Sequence, residues 1–177
     1  MLKQRGFTLL ELLTTLAIAA VLVTVAIPDL GHLISYNRAV ARVNSLIRAL
    51  NFARFSAISR DRYVTICRSS DGRQCSDSGD WQDGWLIFVN LDRDSPAQVD
   101  PGEPVLHVHG PLDGNAQIFS NRKTFTFRPL GTRSTNGTFL YCSEGHADDQ
   151  ALIINVVGRI RVEDAADLSN GMSCPET

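Results

Sequence analysis

Lys3-Gln-Arg-Gly6-Phe7-Thr-Leu-Leu-Glu11 opens an apolar run that continues to Ile27 and meets Pro28. From Phe7 to Ile27 there are twenty-one residues with one charge, Glu11. At ~1.5 Å per helical residue such a run spans the hydrocarbon core of a bilayer. Lys3 and Arg5 precede it, and apart from Glu11 no charge appears until Asp29, so the basic end is expected on the cytoplasmic side. A secretory signal carries its small-residue cleavage site after the apolar run. Here the small residue, Gly6, comes before it. Cleavage after Gly6 keeps the apolar segment in the mature chain, which then begins with a free amine on Phe7. A carboxylate in hydrocarbon is costly unless paired, and the Phe7 amine of a neighbouring subunit is a suitable partner for Glu11. A simple membrane anchor with a tolerated acid is the alternative, and it leaves the leader unexplained.

The 177 residues suffice for one anchored domain, with 44% hydrophobic and 20% charged residues. Without Lys3 and Arg5, fifteen of the seventeen basic residues remain against nineteen acidic ones, a formal charge of -4. That balance argues against a general nucleic-acid coat and leaves local patches open. Of the fifteen, all but Lys123 are arginine, which suits bidentate phosphate or carboxylate contacts. Cys67, Cys75, Cys142 and Cys174 lie beyond the anchor, in what the orientation makes an oxidising compartment. Four cysteines allow three pairings. Cys67–Cys75 and Cys142–Cys174 are favoured, the first closing a short polar loop and the second stapling the C-terminal tail. Zinc competes weakly, since no C-x2-C pair is present.

Pro28 and Gly31 predict a bend in a helix that then continues. Tyr36, Val40, Val43, Ile47, Leu50 and Ala57 recur at helical spacing, one apolar face reaching roughly to Ser59. Arg38, Arg42, Arg48, Arg54 and Arg60 ride on the same helix with no acid between Asp29 and Asp61. They read as a solvated face or as a surface for acidic partners. The rest reads as β: short runs at 62–67, 84–90, 105–109, 116–120, 124–128 and 138–142, then a hairpin of 151–156 and 159–162 around Val157-Gly158. Asn136-Gly-Thr138 reads as a hairpin turn. The predicted class is α+β, a long N-terminal helix on antiparallel sheet. Its parts are a leader 1–6, a membrane helix 7–27, an amphipathic continuation 28–60 and a β-rich domain 61–177.

Gly6-Phe7-Thr8 followed by Glu11 resembles the type IV prepilin signal. The resemblance implies a pilin or pseudopilin, cut between Gly6 and Phe7 and N-methylated at Phe7 by a prepilin peptidase. Further on, Cys67-Arg-Ser-Ser-Asp-Gly-Arg-Gln-Cys75, Trp81-Gln-Asp-Gly-Trp85, Pro101-Gly-Glu103, Phe127-Arg-Pro-Leu-Gly131 and Gly158-Arg-Ile-Arg161 follow in order. Together they resemble the GspH/FimT branch of minor pilins and pseudopilins. The branch implies a type IV pilin-like fold, an inner-membrane berth with a periplasmic C-terminal domain, and major and minor pilins as partners. It also implies a place in a complex at the filament tip that helps assembly start. FimT-like proteins of naturally competent bacteria carry Gly-Arg-x-Arg, implicated in binding DNA for uptake, and the motif is intact here.

Read from the residues alone, Arg159 and Arg161 on a strand share one face while Ile160 and Val162 face the core. Two guanidinium groups ~7 Å apart match the scale of successive phosphates on one strand of a duplex. Pairing of these arginines with Glu163, Asp164 or a neighbouring subunit is the competing reading. Arg122, Lys123, Arg128 and Arg133 are candidates to widen the patch. Asn90-Leu-Asp92-Arg-Asp94 resembles a calcium loop but lacks its glycine and its final glutamate, holding Ser95 and Pro101 there, so it reads as a polar turn. His107-Val-His109 offers two imidazoles without a third ligand, and reads as a surface strand edge. Trp81 and Trp85 read as packing residues. No nucleophile elbow or phosphate-cradling loop is present, so no enzyme, cofactor or metal is expected. Three functions remain: a type IV minor pilin that binds double-stranded DNA for transformation, a priming minor pilin without DNA binding, and a type II secretion pseudopilin.

Overall fold

The computed structural model describes residues 6–114, 117–130, 134–143, 149–168 and 171–175, without the side chains of 25–30 and 32. Among the described residues one α-helix, α1 (Leu9–Arg60), leads into eight strands. The described residues divide into two compact units, one up to Arg38 and the other from Ala39.

In the first unit the helix starts on Thr8. Its Oγ1 accepts the amide of Glu11 at 3.2 Å, and its carbonyl accepts that of Leu12. Thr-x-x-Glu is the sequence of a capping box, and this is one half of it. The hydroxyls of Thr14, Thr15 and Thr24 each bond back to the carbonyl three residues earlier, at 3.0, 2.9 and 2.8 Å. Their polar groups are thus satisfied within the helix, as an apolar surrounding requires. Leucine and valine side chains from Leu9 to Val23 are exposed. The helix runs on through Pro28 and Gly31. Among the described residues no helix is long and apolar enough to cross a membrane; the side chains of 25–27, the end of the predicted span, lie outside them, as does the leader 1–5.

In the second unit α1 buries Ala39, Val43, Leu46, Leu50, Ala53 and Ala57, a three- and four-residue spacing. Of the predicted face, Tyr36 is 50% exposed, whereas Leu46 and Ala53 belong to the core. Two antiparallel four-stranded sheets complete it. One contains β1 (Val64–Arg68), β2 (Trp85–Val89), β3 (Val105–His109) and β5 (Thr124–Phe127), in the order β3-β2-β1-β5. The other contains β4 (Gln117–Ser120), β6 (Gly137–Cys142), β7 (Gln150–Ile154) and β8 (Ile160–Asp164), in the order β4-β6-β7-β8. Ile66, Ile87, Phe125 and Phe127 from the first sheet and Phe139, Tyr141, Leu152 and Ile154 from the second join the helix in one core. Each such side chain contributes about 1.5–3 kcal/mol by leaving water.

The outer faces are covered too. Cys67, Leu86 and Phe88 pack with Ala97, Cys75 and Val99, and the Cys67–Cys75 disulfide pins that loop. Leu140, Cys142 and Ala151 lie under Leu168, Met172 and Cys174, with Cys142–Cys174 holding the tail. Hence β2 and β6 are buried along their whole length and show no period-two alternation.

Two expectations are corrected. Gly137 is the first residue of β6, not part of a hairpin turn; a Cβ there would meet Asn121 Oδ1 at 2.7 Å and the Phe125 ring at 2.9 Å. Nor are all five helix arginines solvated. Arg42 donates to Tyr141 Oη at 3.3 Å and to the Asp113 carbonyl, and Arg54 Cδ lies 3.3 Å from the Cβ position of Gly158.

Candidate functional site

The β7–β8 connection is built around Asn155. Its Oδ1 accepts the amides of Val157 at 3.1 Å and Arg159 at 2.9 Å. Its carbonyl accepts from Gly158 at 2.8 Å, and its own amide donates to the Arg159 carbonyl. Asparagine side chains compete in this way with ladder bonds. The loop is therefore longer than the two-residue turn expected, and the strands end at Ile154 and resume at Ile160. Gly158 has φ +71, open to glycine at little cost, and its Cβ position is 3.1 Å from two ring atoms of Phe127. The buried glycine holds the loop down, and Arg159 beside it is exposed.

Arg159 therefore lies in the loop, one residue before the strand, and alternation along β8 applies only from Ile160. Ile160 packs against the core as expected. Val162 stands opposite buried Leu152 on the same face, yet at the edge strand β8 it is 43% exposed. Arg161 Nε lies 2.9 Å from Glu163 Oε1, with side-chain exposures of 68% and 29%.

Arg122, Lys123 and Arg128 do not adjoin Arg159 and Arg161 in one lining. They border a separate cavity of about 470 Å³ with Tyr63, Arg93 and Thr126. Arg133 lies outside the described residues. Arg93 had no local signal, since it sits in the loop that resembles a calcium site. Asn90 Oδ1 accepts its amide at 2.5 Å, its φ is +63, and its guanidinium stands 4.5 Å from the Tyr63 ring centroid. Arg128 approaches the same ring at 5.7 Å. Buried Trp81 donates from Nε1 to the Arg122 carbonyl at 3.2 Å, which anchors that corner. The Asn155 loop and the cavity are both tied to Ser134-Thr135, the segment before β6. Ser134 donates to the Val156 carbonyl and Thr135, which lines the cavity, donates to that of Thr126.

The remaining candidates lie elsewhere in the chain. Trp81 and Trp85 are buried, as expected. His109 stacks on Trp85 at 4.0 Å with Nε2 3.0 Å from Ser45 Oγ, and His107 meets Phe52 edge-on. Among the described residues no third metal-ligating side chain joins them. Carboxylate oxygens of Asp92, Asp94 and Asp100 lie within 4.8 Å of one another. Desolvation, then the charges of Asp92, Asp94 and Glu103, push the Asp100 carboxyl above its ordinary value although the residue is exposed. At the N-terminus Phe7 is 83% exposed, nothing crowds Gly6, and Glu11 is exposed in the first turn of α1.

A family model described as "Type II transport protein GspH" matches residues 42–158, and one described as "Prokaryotic N-terminal methylation motif" matches residues 1–27. The pilin-like protein PilA1 of Thermus thermophilus is 35% identical over 173 residues, spanning 92% of this chain and 100% of that protein. The crystal structure of the type IV minor pilin FimU of Pseudomonas aeruginosa superposes with a TM-score of 0.55 at 25% identity, over 72% of this chain and 89% of that one. The minor pseudopilin EpsH from the type 2 secretion system of Vibrio cholerae gives 0.49 at 12%, over 72% and 97%.

Proposed function

This chain belongs to the GspH family of pilin-like proteins, and from that membership we propose that it is a type IV minor pilin that binds duplex DNA. A prepilin peptidase cleaves between Gly6 and Phe7 and methylates Phe7. Residues 7–27 hold the protein in the inner membrane with the C-terminal domain in the periplasm. The chain then enters the pilus tip, where it helps assembly start and captures DNA for transformation. Likeness to FimU supports the pilus over the secretion apparatus. Gly6 and Phe7 precede the Thr8 cap in non-helical chain, within reach of a peptidase. The uncovered leucines and valines of the first unit support burial against lipid and then against other pilins.

The DNA reading rests on the Asn155–Gly158 loop, whose internal hydrogen bonds and buried glycine present Arg159 to solvent next to Arg161. The Arg161–Glu163 pair is exposed enough to be worth less than about 1 kcal/mol, so a phosphate displaces the glutamate at small cost. Two phosphate contacts give a log–log salt slope of about -1.8, a fall in affinity of roughly tenfold between 50 and 200 mM salt. The test is a fluorescence titration of the detergent-solubilised full chain with labelled duplex of mixed sequence. Sequence-independent binding that Arg159→Ala/Arg161→Ala abolishes is the expected result. No binding at low salt, or binding unchanged in the double variant, refutes it.

A type II secretion pseudopilin is the second reading, favoured by the description of the family model matched over 42–158. A deletion that stops protein secretion while leaving pili and transformation intact selects it.

A further inference from the structure

We propose that the cavity between Tyr63, Arg93, Arg122, Lys123 and Arg128 is a second anion site, taking a phosphate monoester of nucleotide size. The proposal is independent of duplex binding by Arg159 and Arg161, neither of which lines the cavity.

Charge comes first. Four cationic side chains border the cavity, and its lining holds one carboxylate, Asp94. That carboxylate is turned into its own loop: Oδ1 accepts from Asn90 Nδ2 at 2.9 Å and Oδ2 from the Gln98 amide at 2.8 Å. Lys123 approaches Asp77 at 3.7 Å, but both are largely exposed and the pair is weak. Such a cationic excess favours a monoester, which carries about -1.5 to -2 charges at neutral pH, over a diester with one. Three of the four cations are arginines, whose planar forks bind phosphate oxygens in pairs.

Preorganisation comes second. The guanidinium groups of Arg93 and Arg128 both lie over the Tyr63 ring. Each such contact is attractive and lowers the entropy lost when a ligand gathers the two cations. The Arg93 backbone is fixed by Asn90, and Arg122 is fixed by Trp81 and by its own Nε donating to the Asn136 carbonyl at 3.3 Å.

Size and shape come third. About 470 Å³ is far more than an inorganic phosphate fills and lies within the range of small-ligand sites, about 300–1,000 Å³. An acidic peptide added as a further strand is disfavoured, because the edge of β5 is occupied at Thr126. The Thr126 amide donates to Thr135 Oγ1 and its carbonyl accepts from Thr135. Recognition is left to side chains that suit a compact anion. A free nucleotide and the 5′-terminal nucleotide of a strand share this chemistry.

The probe is a labelled single-stranded oligonucleotide of about twelve nucleotides, with a 5′-phosphate or a 5′-hydroxyl, titrated into the detergent-solubilised full chain at about 50 mM salt. The phosphorylated end is expected to bind about tenfold more tightly, the equivalent of one lost charge-assisted contact. Arg128→Gln and, separately, Lys123→Gln should each shrink that ratio towards one, while Arg159→Ala/Arg161→Ala leaves it unchanged. Competition by AMP identifies the free nucleotide as sufficient; competition only by a phosphorylated strand identifies the strand end. Either supports the site. Equal affinity for both ends, an unchanged ratio in the cavity variants, or competition by hexaglutamate as strong as that by AMP overturns it. Failure of the duplex titration with a preserved end preference separates this site from the Arg159–Arg161 reading.

Discussion

Replacing Gly158 with alanine tests how the Arg159 loop is held. The backbone at φ +71 is in the left-handed region, and a Cβ there costs roughly 1–2 kcal/mol. The new methyl also stands 3.1 Å from Cδ1 and Cε1 of Phe127, whose ring is 1% exposed and packed on all sides, and 3.3 Å from Arg54 Cδ. The phenyl ring has no room to move aside. Overpacking of that kind adds about 1–2 kcal/mol, for a total near 2–4 kcal/mol. Gly102→Ala is the control: its φ is +97, further from the left-handed minimum near +57, and nothing lies within 4 Å of its Cβ position. It carries the backbone cost alone. Thermal unfolding of the full chain in detergent, followed by near-ultraviolet circular dichroism, should place Gly158→Ala about 4–8 °C below Gly102→Ala, at about 4 °C per kcal/mol for a domain of this size. Duplex affinity should fall with it although both arginines remain. A Gly158→Ala melting point equal to or above that of Gly102→Ala refutes the packing argument.

Asn155→Ala removes the acceptor for two amides and should weaken duplex binding by roughly tenfold with Arg159 and Arg161 intact, as measured by fluorescence titration. Cys142→Ser/Cys174→Ser opens a loop closed across 32 residues; chain entropy gives a loss of about 3.5–4 kcal/mol, read in denaturant unfolding, against about 2.5 kcal/mol for the 8-residue separation of Cys67 and Cys75. Asp100→Asn should raise stability at neutral pH. Because the folded carboxyl is shifted above 3.8, its charged form is disfavoured once pH exceeds the folded value, and the benefit vanishes below 3.8, where the aspartate is protonated in both states. Asp71 has the opposite sign: hydrogen bonds donated by the backbone amides of Arg73 and Gln74 hold it below 3.8, so the stability it contributes above 3.8 is lost as pH falls through its folded value. Asp71→Ala should destabilise at pH 7 and not in strong acid. Glu11→Ala should leave cleavage at Gly6 intact and impair incorporation into pili, seen by immunoblot of sheared filaments; normal incorporation contradicts the pairing of Glu11 with a neighbour's Phe7.

Much of this molecule is legible without coordinates. The helix follows from apolar spacing up to Ala57, and the strands follow from short β-branched and aromatic runs between turn residues, because both signals are local. Thr8 could also have been read, as the first residue of a Thr-x-x-Glu capping sequence. Loop length and tail position favour the disulfide pairing that the structure has. The arginines were not legible in the same way. Arg42 and Arg54 look like their exposed helix neighbours, yet the sheets reach them. Arg161 meets Glu163 across one intervening residue, whereas Arg93 and Arg128 share the Tyr63 ring only because β1, which follows Tyr63, lies between β2 and β5. The sequence by itself determined the class, the N-terminal signal and the order of elements, since these depend on neighbours in the chain. Which cations gather around Tyr63, which face solvent on the Asn155 loop and why Val162 is uncovered at the sheet edge were decided by strand order, a property of long-range packing that spacing does not encode.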